Sequence, residues 1–222
     1  MMKRPKKIEP VMSRRASSRQ PQNRLVLFLK EPRMGRVKRR LAETIGDAAA
    51  LKFYREIAAA TLRLSRDRRW RTTLALTPDR AARKSSLRGI MGRRCETVPQ
   101  GTGDLGRRMA RALMRYRGQP TLIVGTDIPG LEPGHIVRAF RALRGADAVF
   151  GPAVDGGFWL VGMRRPQSAA RVFSNVRWSS AHALSDVRAK LPRGARVAAV
   201  EMMVDVDDGA SYRRWRETMR RD

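Results

Sequence analysis

The chain has 222 residues, 42% of them hydrophobic, enough for a sizeable core in one large domain or two small ones. Its single cysteine excludes an internal disulfide and a cysteine-built zinc site, and suits a reducing cytoplasm. A formal net charge of +28, carried by 40 Arg and 8 Lys, points to anionic ligands. With only 6% aromatics, stacking platforms for nucleic acid are scarce, and no helix-turn-helix, zinc-finger or RNA-binding signature occurs. The charge therefore predicts weak, sequence-blind polyanion binding beside a preference for phosphorylated small molecules. No apolar run approaches the roughly 18 residues of a membrane span, and the basic N-terminus lacks an apolar h-region. The expectation is a cytoplasmic protein.

Residues 1–23 carry basic residues and no hydrophobic periodicity, and are read as a disordered basic tail before one domain over 24–222. Leu25 to Leu29 forms the first strand. It runs into a loop punctuated by Pro32 and Gly35 and crowded with Lys30, Arg36, Lys38 and Arg40. A strand, a glycine-containing loop and a helix start make a phosphate cradle of backbone N–H groups, to which Lys38 and Arg40 add full charges. A solvated basic helix start has the same composition, and one glycine is too few for a Walker loop or a dinucleotide fingerprint.

Asp47 opens a helix to about Ser65, with Tyr54, Ile57 and Leu62 on its apolar face. Thr72–Thr77 reads as a strand, Asp79–Leu87 as a helix and Cys95–Val98 as a short strand, with Cys95 a small core residue. The glycines of 101–106 make a loop in which Thr102 or Asp104 caps the next helix. That helix buries Leu105, Met109 and Leu113 and turns Arg107, Arg111 and Arg115 outward as a solvated stripe, with Arg107 near enough to the loop to meet a ligand.

Thr121–Val124 is a buried strand that stops at Gly-Thr-Asp-Ile-Pro-Gly. An Asp at the carboxyl end of a buried strand faces the crevice in which open α/β sheets bind ligands, so Asp127 is a candidate ligand for a divalent cation; capping the turn is the plainer role. Pro133 starts a helix with His135 as a capping or surface residue, and Asp147–Gly151 is a strand. Asp155-Gly156-Gly157 reads either as a hairpin turn or as a place where a ligand approaches the backbone, and Phe158–Met163 returns as a strand. Trp178 to about Leu191 reads as helix with His182 inside it, and Ala195–Val200 as a strand. Asp205 and Asp207 then fall on one side of an extended backbone and can join Asp127, or they belong to a charged turn before a last helix over Ser211–Arg220.

Taken together, the segments 30–41, 103–109, 125–131, 151–158 and 178–180 resemble, in order, the motifs of a bacterial family. It is the glycosyltransferase-A-like DUF2064 family, also called radical-SAM/selenodomain-associated transferase 1, with some members labelled arsenosugar-biosynthesis glycosyltransferases. The resemblance implies an α/β nucleotide-diphospho-sugar transferase (GT-A, Rossmann-like) fold, a mixed and mostly parallel sheet flanked by helices. It implies a nucleotide site at Lys30, Gly35, Arg36, Lys38 and Arg40, to which the loop reading adds Asp104 and Arg107. It implies Mg²⁺ or Mn²⁺ at Asp127, with Asp205 and Asp207 resembling the family's late D-x-D. Arg39, Ser180 and Asp208 stand where the family usually has Thr.

The expected function is therefore metal-dependent transfer from a nucleotide sugar to a small-molecule acceptor, with Asp155, Lys38 and Arg40 as candidate catalytic residues. The alternative is nucleotidyl transfer from a nucleoside triphosphate to a phosphorylated small molecule. A third reading is a basic nucleotide- or nucleic-acid-binding protein without chemistry.

Overall fold

The computed structural model describes residues 23–83 and 95–218. The basic tail up to residue 22, the far end of the helix read from Asp79 and the end of the last helix lie outside them. Leu25, Leu27 and Leu29 alternate with Val26 and Phe28, and both sets find cover, so β1 (Arg24–Lys30) is a central strand buried on two faces. The other strands are β2 (Arg71–Thr77), β3 (Cys95–Pro99), β4 (Thr121–Gly125), β5 (Ala148–Pro152), β6 (Phe158–Met163) and β7 (Val197–Ala199). They form one sheet in the order β3-β2-β1-β4-β6-β5-β7. All pairings are parallel except those of β6, which runs antiparallel to both β4 and β5. The mixed, mostly parallel sheet expected from the resemblance is what the chain adopts.

The helices are α1 (Arg39–Ile45), α2 (Asp47–Arg63), α3 (Asp79–Arg83), α4 (Leu105–Met114), α5 (Pro133–Gly145), α6 (Ala169–Val172), α7 (Ala183–Ala189) and α8 (Gly209–Thr218). α2 and α5 cover one sheet face, placing Tyr54, Leu62, Ile136 and Phe140 against Leu25, Leu27 and Leu122. α4, α6 and α7 cover the other, placing Met109, Leu113, Val172 and Val187 against Val26, Ile123 and Val161. The outer face of α2 is covered in turn by α1 and α8, where Phe53 meets Tyr212 and Trp215 with ring centroids 5.2 and 5.1 Å away. None of these helices is long and apolar enough to cross a membrane.

Several boundaries differ from the sequence reading. The segment from Trp178 is not helical throughout. Ser179 takes φ +58°, which breaks a helix, so α7 starts only at Ala183 and His182 is its N-cap rather than an interior residue. β7 is shorter than Ala195–Val200 and pairs with β5 at the sheet edge. α6 and the 3-10 turn at Pro166–Ser168 carry no periodic pattern long enough to be read in advance.

Cys95 packs against the core, and burial pushes its thiol up to about 11. Since the thiolate is the nucleophile, alkylation by iodoacetamide at pH 8 is expected to run roughly a hundred-fold slower than in the denatured chain. Equal rates before and after denaturation, read by mass spectrometry, would contradict that placement.

Candidate functional site

β1 is where the strand order reverses, with β2 and β3 on one side and β4 on the other. Loops leaving the carboxyl ends of two such neighbours diverge and open a crevice. Here those loops are residues 31–38 after β1 and 126–132 after β4. The first is short and tight. Arg36 N–H donates to the Arg33 carbonyl at 3.0 Å, and Gly35 between them sits at φ +67°, a conformation most side chains resist. Lys38 then stands as the N-cap of α1 at φ +47°, left-handed although it is not glycine.

That backbone turns the Lys38 side chain inward, leaving it only 2% exposed. Its ammonium lies 2.7 Å from Asp127 Oδ1, 3.7 Å from Asp205 Oδ1 and 3.6 Å from Asp207 Oδ1. Asp127 belongs to the loop after β4. Asp205 and Asp207 belong to an extended segment tied to that loop by Val206 N–H donating to the Asp127 carbonyl at 3.3 Å, and to the end of β5 by a parallel bridge between Ala153 and Met203. Three distant parts of the chain thus meet at one buried charge. Burial alone would lower the pKa of Lys38, but Asp127, Asp205 and Asp207 outweigh it and hold the ammonium above its ordinary value. The Asp205 pKa is also raised, which for a carboxyl favours the neutral form. Burial pushes it up to about 7, Lys38 opposes, and Asp127, Asp207 and Asp155 add to the rise.

Arg40 is differently placed. Its guanidinium is exposed and reaches Asp207 Oδ2 at 3.3 Å and Asp208 Oδ2 at 3.0 Å, so it braces the late acidic segment. Asp208 also accepts from Ser211 N–H at 2.8 Å, fixing the start of α8. Lys30, Gly35 and Arg36 line the same loop with exposed surfaces. Asp104 caps α4 by accepting from Arg107 N–H at 2.7 Å, leaving the Arg107 side chain exposed. These two residues flank the loop after β3 and are not among the partners of the carboxylate cluster.

Asp155 is exposed at the tip of the β5–β6 hairpin, where it accepts from Gly157 N–H at 2.9 Å. The hairpin turn is therefore real, and Asp155 is still close enough to raise the pKa of Asp205. Gly156, at φ +85°, packs so tightly on the 181–184 segment that a Cβ would lie 2.4 Å from the Ala181 carbonyl oxygen. Gly156→Ala is expected to lose more than about 1 kcal/mol in chemical denaturation, from combined backbone strain and overpacking. An unchanged midpoint would mean that the hairpin tip is not fastened there.

Three residues that sequence reasoning did not single out for the site brace the strand ends behind these loops. The Tyr54 hydroxyl donates to the Lys30 carbonyl at 2.8 Å, accepts from Lys30 N–H at 3.0 Å and lies 3.4 Å from Thr126 Oγ1. It joins the end of β1 to the start of the Asp127 loop, and burial followed by the charge of Asp127 raises its pKa. Its hydroxyl sits on a mainly apolar helix face that also buries Thr61, so nothing local marks it out. Gln100 is buried and donates to the Ala75 and Leu29 carbonyls at 2.9 and 3.4 Å, holding the ends of β1 and β2. Arg108 donates to the Gln100 side chain at 2.9 Å. The stripe of Arg107, Arg111 and Arg115 is not simply solvated, because Arg111 donates to the carbonyls of Gln100 and Thr102 at 2.7 and 3.0 Å. His135 caps α5 as read, its Nδ1 accepting from Glu132 N–H at 3.1 Å.

The donor set suits a hard cation: three carboxylates converge, and Asp205 Oδ1 is buried without a hydrogen-bond partner. With Lys38 between them, no group of three or more His, Cys, Asp or Glu among the described residues is arranged to hold a metal ion. A surface concavity of about 460 Å³ lies near the same loop, between Met34 and the Leu51, Lys52 and Arg55 side of α2. It contains none of these carboxylates.

The sequence model of a family described as an uncharacterised protein conserved in bacteria (DUF2064) matches residues 60–180, more than half of the chain. Among solved structures, one from Desulfovibrio desulfuricans G20, described as a "putative nucleotide-diphospho-sugar transferase", is 28% identical with a TM-score of 0.76, over 85% of this chain and 84% of that one. The 4-diphosphocytidyl-2C-methyl-D-erythritol synthase of Anaerococcus prevotii DSM 20548 is 12% identical with a TM-score of 0.58, over 90% and 98%. Rv0371c of Mycobacterium tuberculosis H37Rv, in complex with manganese, is 16% identical with a TM-score of 0.50, over 90% and 100%. The last two share the fold. No curated protein matches the chain.

Proposed function

The chain belongs to the DUF2064 family, and we propose on that premise that it is a divalent-cation-dependent transferase taking its group from a nucleotide sugar and passing it to a small-molecule acceptor. One observation carries the reading. The carboxylates of Asp127, Asp205 and Asp207 and the ammonium of Lys38 converge at the switch point between β1 and β4. The likeness to the Desulfovibrio protein, described as a nucleotide-diphospho-sugar transferase, supports it.

In this reading Asp127, Asp205 and Asp207 hold Mg²⁺ or Mn²⁺, and the ion, when bound, supplies Lewis-acid stabilisation of the departing diphosphate. The chain's own groups do the rest. Lys30, Arg36 and Lys38, at and just after the end of β1, offer charges to the donor phosphates. Tyr54 and Gln100 fix the strand ends that carry these groups. Asp155, on its hairpin tip, faces the acceptor and takes its hydroxyl proton. Arg40 contributes by holding Asp207 and Asp208 in place.

A melting-temperature screen of the whole chain tests this, using nucleotide sugars and nucleoside triphosphates with and without Mn²⁺. A ligand at 100 times its dissociation constant stabilises by about 2.7 kcal/mol, or roughly 5–10 °C for a chain of this size. A shift with nucleotide sugars in the presence of Mn²⁺ is the expected result. A shift confined to one triphosphate would move the assignment to nucleotidyl transfer. No shift with any nucleotide would remove the transferase reading and leave a basic binding protein.

A further inference from the structure

We propose that the Lys38 ammonium is a built-in stand-in for the divalent cation: it neutralises the Asp127, Asp205 and Asp207 cluster until the ion arrives, and is then expelled from it. This rests on the reading of the three carboxylates as a cation site. The stand-in is an imperfect one. A single ammonium meets one carboxylate at 2.7 Å and leaves the others at 3.7 and 3.6 Å, and Asp205 Oδ1 stays buried with no hydrogen bond. A doubly charged ion that takes several oxygen ligands serves the same three groups better.

Both cations cannot occupy the cluster, because like charges a few ångströms apart in a partly buried site repel strongly. Lys38 is the one that can leave. Its main chain is pinned, since its carbonyl accepts from Ala42 N–H at 2.8 Å, but its flexible four-carbon stem can swing while the left-handed backbone stays as it is. Arg40 does not replace it, being engaged by Asp208 and the outer oxygen of Asp207. Expulsion leaves the ammonium beside the loop that is proposed to face the donor phosphates. Ion binding and the positioning of a phosphate-binding cation then become one event, which would also order the sequence of ligand binding.

The test uses the whole chain and Mn²⁺ alone. Mn²⁺ binding is read by electron paramagnetic resonance, and the accessibility of Lys38 by reductive methylation and mass spectrometry, with exposed Lys52 as the internal reference. Without the ion Lys38 is expected to be protected. At saturating Mn²⁺ its labelling relative to Lys52 should rise about ten-fold or more, and Lys38→Met should bind Mn²⁺ about ten-fold or more tightly, as expected when a competing like charge is removed. Mn²⁺ binding with Lys38 still protected would overturn the exchange and keep the cation site. Failure of the wild-type chain to bind Mn²⁺ would overturn both. The labelling is done on wild-type protein, so a Lys38→Met chain that does not fold still leaves a decisive measurement.

Discussion

Asp127→Asn removes the divalent-ion dependence of nucleotide binding and leaves the fold standing. The residue lies at the carboxyl end of the central β4 strand, with its side chain 44% exposed and its carbonyl accepting from Val206 N–H. Asparagine keeps the shape, the main-chain bond and one oxygen toward Lys38. Lys38 remains beside Asp205 and Asp207, so its buried charge is not abandoned, which is the circumstance that makes broken buried pairs costly. The melting temperature should therefore fall by no more than about 2–4 °C, the equivalent of roughly 1 kcal/mol for a chain of this size. Metal affinity is another matter. Even a lost outer-shell partner weakens a metal site about 10–100-fold, and a lost ligand should do at least as much. Calorimetric titration of nucleotide with and without Mn²⁺ reads the difference. If the Mn²⁺-dependent gain in affinity survives in the mutant, Asp127 is a turn residue and the cation is held elsewhere.

The elements that carry this site were legible because each has a local cause. The two-faced apolar run of Leu25–Leu29 and the bounded run of Thr121–Val124 required central strands, and both appear within a residue of the expected limits. The 3.6-residue periodicity from Asp47 required α2. What was not legible depends on distance. Nothing in local sequence tells that Lys38 points inward, since the reading of its loop as basic surface rests on composition alone. Its burial goes with a left-handed backbone at position 38 and with carboxylates from two later parts of the chain, Asp127 and then Asp205 and Asp207. The same holds for Arg40, which composition offered as a phosphate ligand and the fold sets against Asp207 and Asp208. Gln100 and the Tyr54 hydroxyl were not legible as parts of the site for a related reason. Each bonds main-chain groups of strands distant in sequence, and its purpose is visible only once the strand ends it ties are side by side.

Asp155→Asn should cut turnover by about 10²–10⁴-fold, the usual contribution of a general acid or base, and leave donor binding unchanged. The structure makes this substitution unusually clean. Asp155 has a defined turn role through one oxygen, which accepts from Gly157 N–H at 2.9 Å, and the amide oxygen of asparagine can accept the same bond. Asparagine is also at home in turns, so the hairpin between β5 and β6 should keep its shape. Only the charge and the basicity are lost. Those are the properties a base needs, and the charge is already felt at the site, where it adds to the rise of the Asp205 pKa. Removing that negative charge also has a route through the cation, and the two routes separate in the kinetics. A base lost from the acceptor side lowers kcat and leaves the Mn²⁺ and donor affinities where they were. A charge lost from the cation site weakens Mn²⁺ binding and is overcome by more Mn²⁺. Recovery of turnover at high Mn²⁺ would reassign Asp155 to the cation, and near-normal turnover at all Mn²⁺ concentrations would leave it with the turn alone.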